Sequence, residues 1–210
     1  MQITKEIFRA MLRAAAEEIV SQCDHLNRLD SEGGDGDHGT AMSAATQAAH
    51  EAALESHSWS EMCTNIGMKV MGAASGSTSA LVGSFYIGMA DALKQNPSGS
   101  LDADEFIAMF ESGLANLLAV SRAKVGDKTL LDAIVPAVES MSEMKGTGST
   151  ITEIMKLAAQ AAQAGAEATK DMVAKVGRAK NIGERSRGKC DAGASSFALM
   201  FQAFSEALEE

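Results

Sequence analysis

The sequence predicts an all-α protein with a single domain over residues 1–210. Apolar residues recur at three- and four-residue steps, as from Ile7 through Met11 to Ile19, which is the spacing of one helix face. The chain is rich in alanine and contains only two prolines, a composition that favours helix. Alternating apolar and polar residues, which are typical of strands, do not extend over a useful length.

Breaks rich in glycine, serine and aspartate divide the chain into eight predicted helices. Three starts have capping-box spacing: Ser58 with Glu61, Asp102 with Glu105, and Thr150 with Glu153. The predicted helices span residues 4–28, 38–55, 59–72, 78–95, 103–121, 130–145, 150–176 and 193–209. Pro136 lies inside the sixth, where we expect a kink or a later helix start. Short loops between amphipathic helices predict antiparallel neighbours.

Charge and cysteine content exclude several classes of protein. The net charge is −10, which argues against nucleic acid and anionic membranes as partners because both require a cationic surface. No apolar run is long enough to span a bilayer, and charged residues interrupt the first 20 positions, so we expect no signal peptide. Cys23, Cys63 and Cys190 are odd in number and widely spaced, which predicts a cytoplasmic protein without a disulfide framework.

The first break contains four acidic residues within a short loop: Asp30, Glu32, Asp35 and Asp37. Carboxylates at this density form the ligand set of a hard divalent cation, and the intervening glycines allow Asp30, Asp35 and Asp37 to converge. The EF-hand spacing is absent, and the few protein ligands leave room for water and phosphate oxygens, which favours Mg²⁺. The alternative is a solvated acidic turn in which Asp37 caps the next helix.

Two further segments suit a phosphorylated ligand. Small and hydroxyl-bearing residues at 72–79 lead into an apolar helix, whose N-terminal amides would attract phosphate, although an ordinary capped helix is the alternative. The long gap at 177–193 holds glycines and a cluster of basic residues, which suits a mobile lid, with Arg178 as the candidate phosphate contact. The alternative there is a solvated basic loop. A smaller break at 124–129 is either a second ligand loop or a cap.

Together, these features predict a Mg²⁺–nucleotide site and phosphoryl transfer. A set of motifs is specific to one family. In order along the chain they are Asp30…Asp35-Gly-Asp37-His38-Gly39, Leu81-Val-Gly83-Ser-Phe85, Gly126-Asp-Lys-Thr129, Gly177-Arg178-Ala, Gly183-Glu-Arg185-Ser186 and Asp191-Ala-Gly193-Ala. They resemble the nucleotide-binding L subunit of dihydroxyacetone kinases, the DhaL-like family.

The resemblance implies a closed barrel of eight antiparallel amphipathic helices with the nucleotide at one end. It implies that Asp30, Asp35 and Asp37 hold two Mg²⁺ ions, and it assigns no catalytic side chain to this chain. The residues that it implies for ADP or ATP are His38, Thr40 and Ala41 at the second helix start, Ser77 and Thr78 at the fourth, Ser121 and Leu130 beside the base, Arg178 on phosphate, and Asp191, Ala192 and Gly193 at the lid.

The resemblance also implies partners. A separate K subunit would hold the ketose, and a multiphosphoryl M subunit would rephosphorylate a retained ADP where phosphoenolpyruvate is the donor. The chain would form a homodimer or a hetero-oligomer, and its ketose would be dihydroxyacetone or a four-carbon relative. Ala41, Ser121, Leu130 and Ala192 depart from the usual pattern of the family. The alternative function is an acidic helical interaction module with a structural divalent cation and no nucleotide chemistry.

Overall fold

The computed structural model describes residues 2–74, 76–94 and 99–209, and these residues are helical almost throughout. Their α-helices are α1 Lys5–Ser21, α2 Cys23–Asp30, α3 His38–Leu54, α4 Trp59–Ala73, α5 Ser77–Ala92, α6 Ala103–Val120, α7 Leu131–Glu143, α8 Ile151–Ala168 and α9 Ala192–Glu206. Two 3₁₀ segments follow α8, at Thr169–Asp171 and Arg178–Ser186. Two short strands, β1 Ile3–Thr4 and β2 Ser100–Leu101, pair antiparallel. The all-α prediction is confirmed.

The predicted helix starts follow from local capping. At the start of α4, the Ser58 hydroxyl accepts a hydrogen bond from the Glu61 amide at 3.2 Å, and the Glu61 carboxylate accepts one from the Ser58 amide in return. The same reciprocal pair opens α6 at Asp102 and α8 at Thr150. Each box satisfies amides that the helix itself leaves unpaired, so all three predicted capping boxes are confirmed.

The helices pack in a ring. In order, α1 contacts α3, α3 contacts α4, and the series continues through α5, α6, α7 and α8 to α9, which also contacts α1. One apolar core lies inside. At its centre, the ring of Phe110 lies 5.0 Å from that of Phe106 and 5.9 Å from those of Phe85 and Phe201. A single shared core supports the prediction of one domain.

Glycine allows α4, α5 and α6 to approach closely. A Cβ on Gly67 would lie 2.6 Å from the carbonyl oxygen of Gly83 on the neighbouring helix, and a Cβ on Gly88 would lie 2.6 Å from the Ser112 carbonyl oxygen. Neither distance is compatible with a side chain, so these glycines set the spacing of the three helices. Among the described residues, none of the helices combines the length and apolarity that crossing a bilayer requires.

Two predicted helices differ from those in the structure. The single helix predicted over 4–28 is wrong, because the backbone breaks at Gln22 and continues as α2. The helix predicted over 150–176 is also wrong, since α8 ends at Ala168. There the Thr169 hydroxyl donates to the Ala166 carbonyl at 2.5 Å and accepts from the Asp191 amide at 2.8 Å, which turns the chain toward α9.

The remaining differences are small. α7 begins at Leu131 and runs through Pro136, so the start is not displaced to the proline. The gap at 177–193 is not an open loop, because the 3₁₀ segment Arg178–Ser186 occupies half of it, with Gly183 interrupting the helical backbone. The predicted end of a helix at Gln95 and the member Ser75 of the 72–79 segment lie outside the described residues.

Candidate functional site

The acidic loop between α2 and α3 brings three carboxylates together. One oxygen from each of Asp30, Asp35 and Asp37 lies within 4.8 Å of the other two. Asp30 is half-buried, whereas Asp35 and Asp37 are exposed. The Asp30 carboxylate also accepts hydrogen bonds from the amides of Gly36 at 2.8 Å and Asp37 at 3.3 Å. The predicted metal ligands therefore converge, and Asp30 shapes the loop that presents the other two.

Glycines make this loop possible. A Cβ on Gly34 would lie 2.0 Å from a carboxylate oxygen of Asp30, so a side chain at this position would displace that carboxylate. Gly36 has a φ of 76°, in the left-handed region that glycine adopts without strain. A Cβ on Gly39 would lie 2.1 Å from the carbonyl oxygen of Cys23. The first turn of α3 is thus pressed against α2, which places the start of α3 beside the acidic loop.

The nucleotide residues predicted at the start of α3 have different environments. His38 is buried, and its Nε2 lies 3.0 Å from the Ser196 hydroxyl on α9. Burial lowers the pKa of His38. Thr40 is exposed, and its amide donates to the Asn27 side chain at 3.2 Å. Ala41 is half-buried. His38 therefore packs between helices, while Thr40 faces outward.

The basic 3₁₀ segment and the residues that follow it, which together we call the basic segment (178–189), lie directly against the acidic loop. Arg178 forms an ion pair with Asp35, and Lys189 forms one with Glu32. A Cβ on Gly33 would lie 2.8 Å from the Cβ of Ala179, so the two backbones are in close contact. The structure therefore brings together two segments that lie about 140 positions apart in the sequence. The guanidinium of Arg178 lies at the carboxylate cluster.

The start of α9 meets the loop before α7. The Asp191 carboxylate caps α9 by accepting from the Ala194 amide at 2.8 Å. Ala192 is buried. A Cβ on Gly193 would lie 3.2 Å from Leu130, so these predicted residues are neighbours. Ser121 ends α6, where its hydroxyl accepts from the Ala123 amide at 3.1 Å.

The remaining predicted pair, Ser77 and Thr78, forms the first turn of α5. Gly76 precedes it with a φ of 135°. Within residues 2–74, 76–94 and 99–209, no hydrogen bond or ion pair joins this turn to the acidic loop. The structure thus unites the acidic loop, the start of α3 and the basic segment, whereas among the described residues no polar contact links the α5 turn to the acidic loop.

Sequence reasoning missed a buried charged cluster in the loop before α7 and the first turn of that helix. Asp127, Lys128 and Asp132 are all buried. The Asp132 carboxylate accepts from the amides of Gly126 at 2.5 Å and Thr129 at 2.8 Å. The Lys128 ammonium donates to backbone carbonyls of two other segments. The available signal was the capping spacing of Thr129 and Asp132, which indicates a turn but not its burial.

Comparison with known proteins gives the family. The model of the DAK2 domain matches residues 32–206, which is most of the chain. The chain belongs to the DAK2 domain family. The Escherichia coli protein named PEP-dependent dihydroxyacetone kinase, ADP-binding subunit DhaL, is 32% identical over 192 residues, with 90% of each chain covered. The resemblance read from the motifs is therefore confirmed.

Larger relatives contain this DAK2 domain as one part. The L-erythrulose kinase of Pectobacterium atrosepticum is 30% identical over 95% of this chain, which covers 34% of that protein. The crystal structure of the Citrobacter freundii dihydroxyacetone kinase, in complex with AMP-PNP and Mg²⁺, matches with a TM-score of 0.74 at 24% identity. That match covers 98% of this chain and 34% of the other. The DAK2 chain spans about a third of these two proteins. The relatives are kinases or kinase subunits, so the predicted kinase class is confirmed.

Asp191 of this DAK2 chain makes its stability depend on pH. Burial raises the pKa of Asp191 to about 6, although the Ala194 amide and Lys128 oppose the shift. Because the folded state binds this proton more tightly than the unfolded state, the contribution of Asp191 to stability falls as pH rises from about 4 to about 6. Asp191→Asn keeps a capping oxygen and cannot ionise. We expect the variant to gain stability relative to wild type across that window, as measured by urea unfolding.

The exposed Asp171, in the adjacent 3₁₀ segment, provides the control for this pH dependence. Asp171→Asn should follow the wild-type pH profile. Parallel profiles for wild type and Asp191→Asn would contradict the burial of an ionised carboxylate at the start of α9.

Proposed function

We propose that this chain is the nucleotide-binding subunit of a kinase that phosphorylates a short ketose, and that it holds Mg²⁺–ADP or Mg²⁺–ATP at the acidic loop. One observation carries the proposal: three carboxylates converge within 4.8 Å at a loop that a basic segment covers. The name of the E. coli relative, an ADP-binding subunit of a dihydroxyacetone kinase, supports it.

The donor set fits Mg²⁺. Ligand oxygens about 2.1 Å from an octahedral Mg²⁺ are about 3 Å apart in adjacent positions and about 4.2 Å apart in opposite ones. The three oxygens of Asp30, Asp35 and Asp37 lie close to this range. Three protein ligands leave coordination positions for phosphate oxygens and water. The resemblance to the L subunits favours two ions. When bound, Mg²⁺ would offset the negative charge of the phosphates.

The remaining site residues would bind and orient the nucleotide. Arg178, already at the carboxylate cluster, would meet the phosphates, and Ser77 with Thr78 would supply amides at the start of α5. We assign the rest as follows: His38, Thr40 and Ala41 beside the phosphates, Ser121 and Leu130 beside the base, and Asp191, Ala192 and Gly193 at the closing edge. Residues 177–193 would act as a lid that excludes water.

This chain holds the nucleotide, and a partner would complete the enzyme. The K subunit would bind the ketose and supply the base for its hydroxyl. A multiphosphoryl M subunit would serve if ADP is a retained coenzyme. The names of the relatives support dihydroxyacetone and the four-carbon erythrulose as substrate classes. The proposed subunit would act in the cytoplasm, as a homodimer or within a hetero-oligomer.

Calorimetry tests the proposal directly. Titrating ADP into the chain with Mg²⁺ should release heat with a stoichiometry near one, and chelating Mg²⁺ should abolish it. Mass analysis of the purified chain for co-purifying ADP would identify the coenzyme mode. Absence of nucleotide heat together with binding of a divalent cation would replace this proposal with the alternative of an acidic interaction module.

A further inference from the structure

The chain enters and leaves the basic segment at a single point. The Gly188 amide donates to the Lys170 carbonyl at 2.8 Å, and the Asp191 amide donates to the Thr169 hydroxyl at 2.8 Å. We call this crossing, made by residues 169–170 and 188–191, the neck. Residues 171–187 lie between the two sides of the neck and include Arg178. The orientation of the neck therefore determines where Arg178 lies.

Lys128 joins the two sides of the neck. Its Nζ donates to the Thr169 carbonyl at 2.5 Å on the incoming side and to the Lys189 carbonyl at 2.6 Å on the outgoing side. Lys128 is only 6% exposed, and Thr169 is fully buried. Hydrogen bonds from a buried ammonium are stronger than neutral ones because water does not compete for them.

The loop around Lys128 is built to hold the ammonium there. Lys128 has a φ of 64°, which is uncommon for a residue with a side chain. The Asp132 carboxylate secures the backbone on both sides by accepting from the amides of Gly126 and Thr129. The Lys175 amide donates to the Asp127 carbonyl at 3.1 Å, so the same loop also contacts residues 171–187.

The ion pairs that join the segment and the neck to the acidic loop are weaker. In the Arg178–Asp35 ion pair the side chains are 64% and 46% exposed, and in the Lys189–Glu32 pair they are 49% and 58% exposed. Exposed ion pairs contribute little because water and salt screen them. The buried hydrogen bonds at the neck are therefore the stronger polar contacts of the segment, and they act together with the packing of Ala179 against Gly33.

We propose that Lys128 is a positioning residue that holds residues 170–190 over the acidic loop and so sets how fast the nucleotide leaves. This inference rests on the proposed function. Lys128 contacts the neck carbonyls, not the carboxylate cluster. Its loss should therefore loosen the segment, and with it Arg178, while Asp30, Asp35 and Asp37 stay in place.

The test compares Lys128→Met with wild type and with Lys156→Met, the same substitution at an exposed position on α8. Stopped-flow measurement with a fluorescent ADP analogue and Mg²⁺ should show release at least about tenfold faster for Lys128→Met. Hydrogen exchange on the nucleotide-free chain should show lost protection at 170–190 with unchanged protection in α4 and α5. Lys156→Met should match wild type in both measurements.

A second variant keeps the test informative if Lys128→Met does not fold. Thr169→Val removes the hydroxyl that accepts a hydrogen bond from the Asp191 amide, and it leaves Lys128 intact. It should therefore also accelerate nucleotide release. A nucleotide release rate equal to that of wild type in a folded Lys128→Met or Thr169→Val variant would overturn the proposal. A loss of hydrogen-exchange protection spread evenly over the chain would overturn it too. If wild type binds no nucleotide, the proposed function fails, and hydrogen exchange alone still decides whether Lys128 holds the segment.

Discussion

Replacing Asp37 with asparagine should abolish Mg²⁺-dependent ADP binding while the helices remain intact. The Asp37 carboxylate belongs to the cluster of three, is exposed, and makes no capping hydrogen bond to α3. The substitution therefore removes a ligand charge and little of the structure. We expect the affinity for ADP in Mg²⁺ to fall at least about 100-fold, or about 2.7 kcal/mol, in calorimetric titrations.

Asp24→Asn provides the matched control for Asp37→Asn. Asp24 is an exposed aspartate in the first turn of α2 and does not belong to the cluster, so its neutralisation should leave ADP affinity within about twofold of wild type. Circular dichroism should show the same helical content in all three chains. A folded Asp37→Asn with wild-type ADP affinity would refute the assignment of the acidic loop as the metal site.

Replacing Phe110 with alanine should cause the largest loss of stability. Phe110 is fully buried, and its ring packs against three other phenylalanines from α5, α6 and α9. Removing the ring opens a cavity between these helices, since the remaining rings can fill only part of the space. We expect the free energy of unfolding to fall by about 3–5 kcal/mol in urea titrations.

Leu118→Ala tests whether burial is the cause. Leu118 lies on the same helix, α6, but its side chain is 43% exposed. Truncating it should cost less than about 1 kcal/mol. Equal losses at the two positions would contradict the single enclosed core.

Local sequence signals are sufficient to predict most of the helices in the fold. The capping boxes at Ser58, Asp102 and Thr150 act within one turn, so the residues that fix each helix start are adjacent in the sequence. The break at Gln22 has no such signal, because the apolar spacing of α1 continues through Cys23 to Leu26. The break becomes visible only once Gly39 brings the start of α3 against the Cys23 carbonyl.

Long-range contacts explain what the sequence could not predict. The end of α8 depends on Thr169, whose hydroxyl accepts a hydrogen bond from the amide of Asp191, 22 residues later. The acidic loop was predicted from composition, since carboxylates so close in sequence must lie close in space. Its contact with Arg178 joins residues far apart in the chain, and the burial of Lys128 depends on the Thr169 and Lys189 carbonyls, so no local pattern contains either feature.

The strand pair β1–β2 has a practical consequence for tethering the protein. Ile3 pairs with Leu101 beside the start of α6, and the 18 residues of α6 then span about 27 Å to the loop before α7. α9 starts next to the basic segment, and its 15 residues carry the chain about 22 Å away. Residues 2 and 209 therefore lie at the end of the helical ring opposite the acidic loop. A surface linker or fluorophore attached at either position would leave the loop end open to solution.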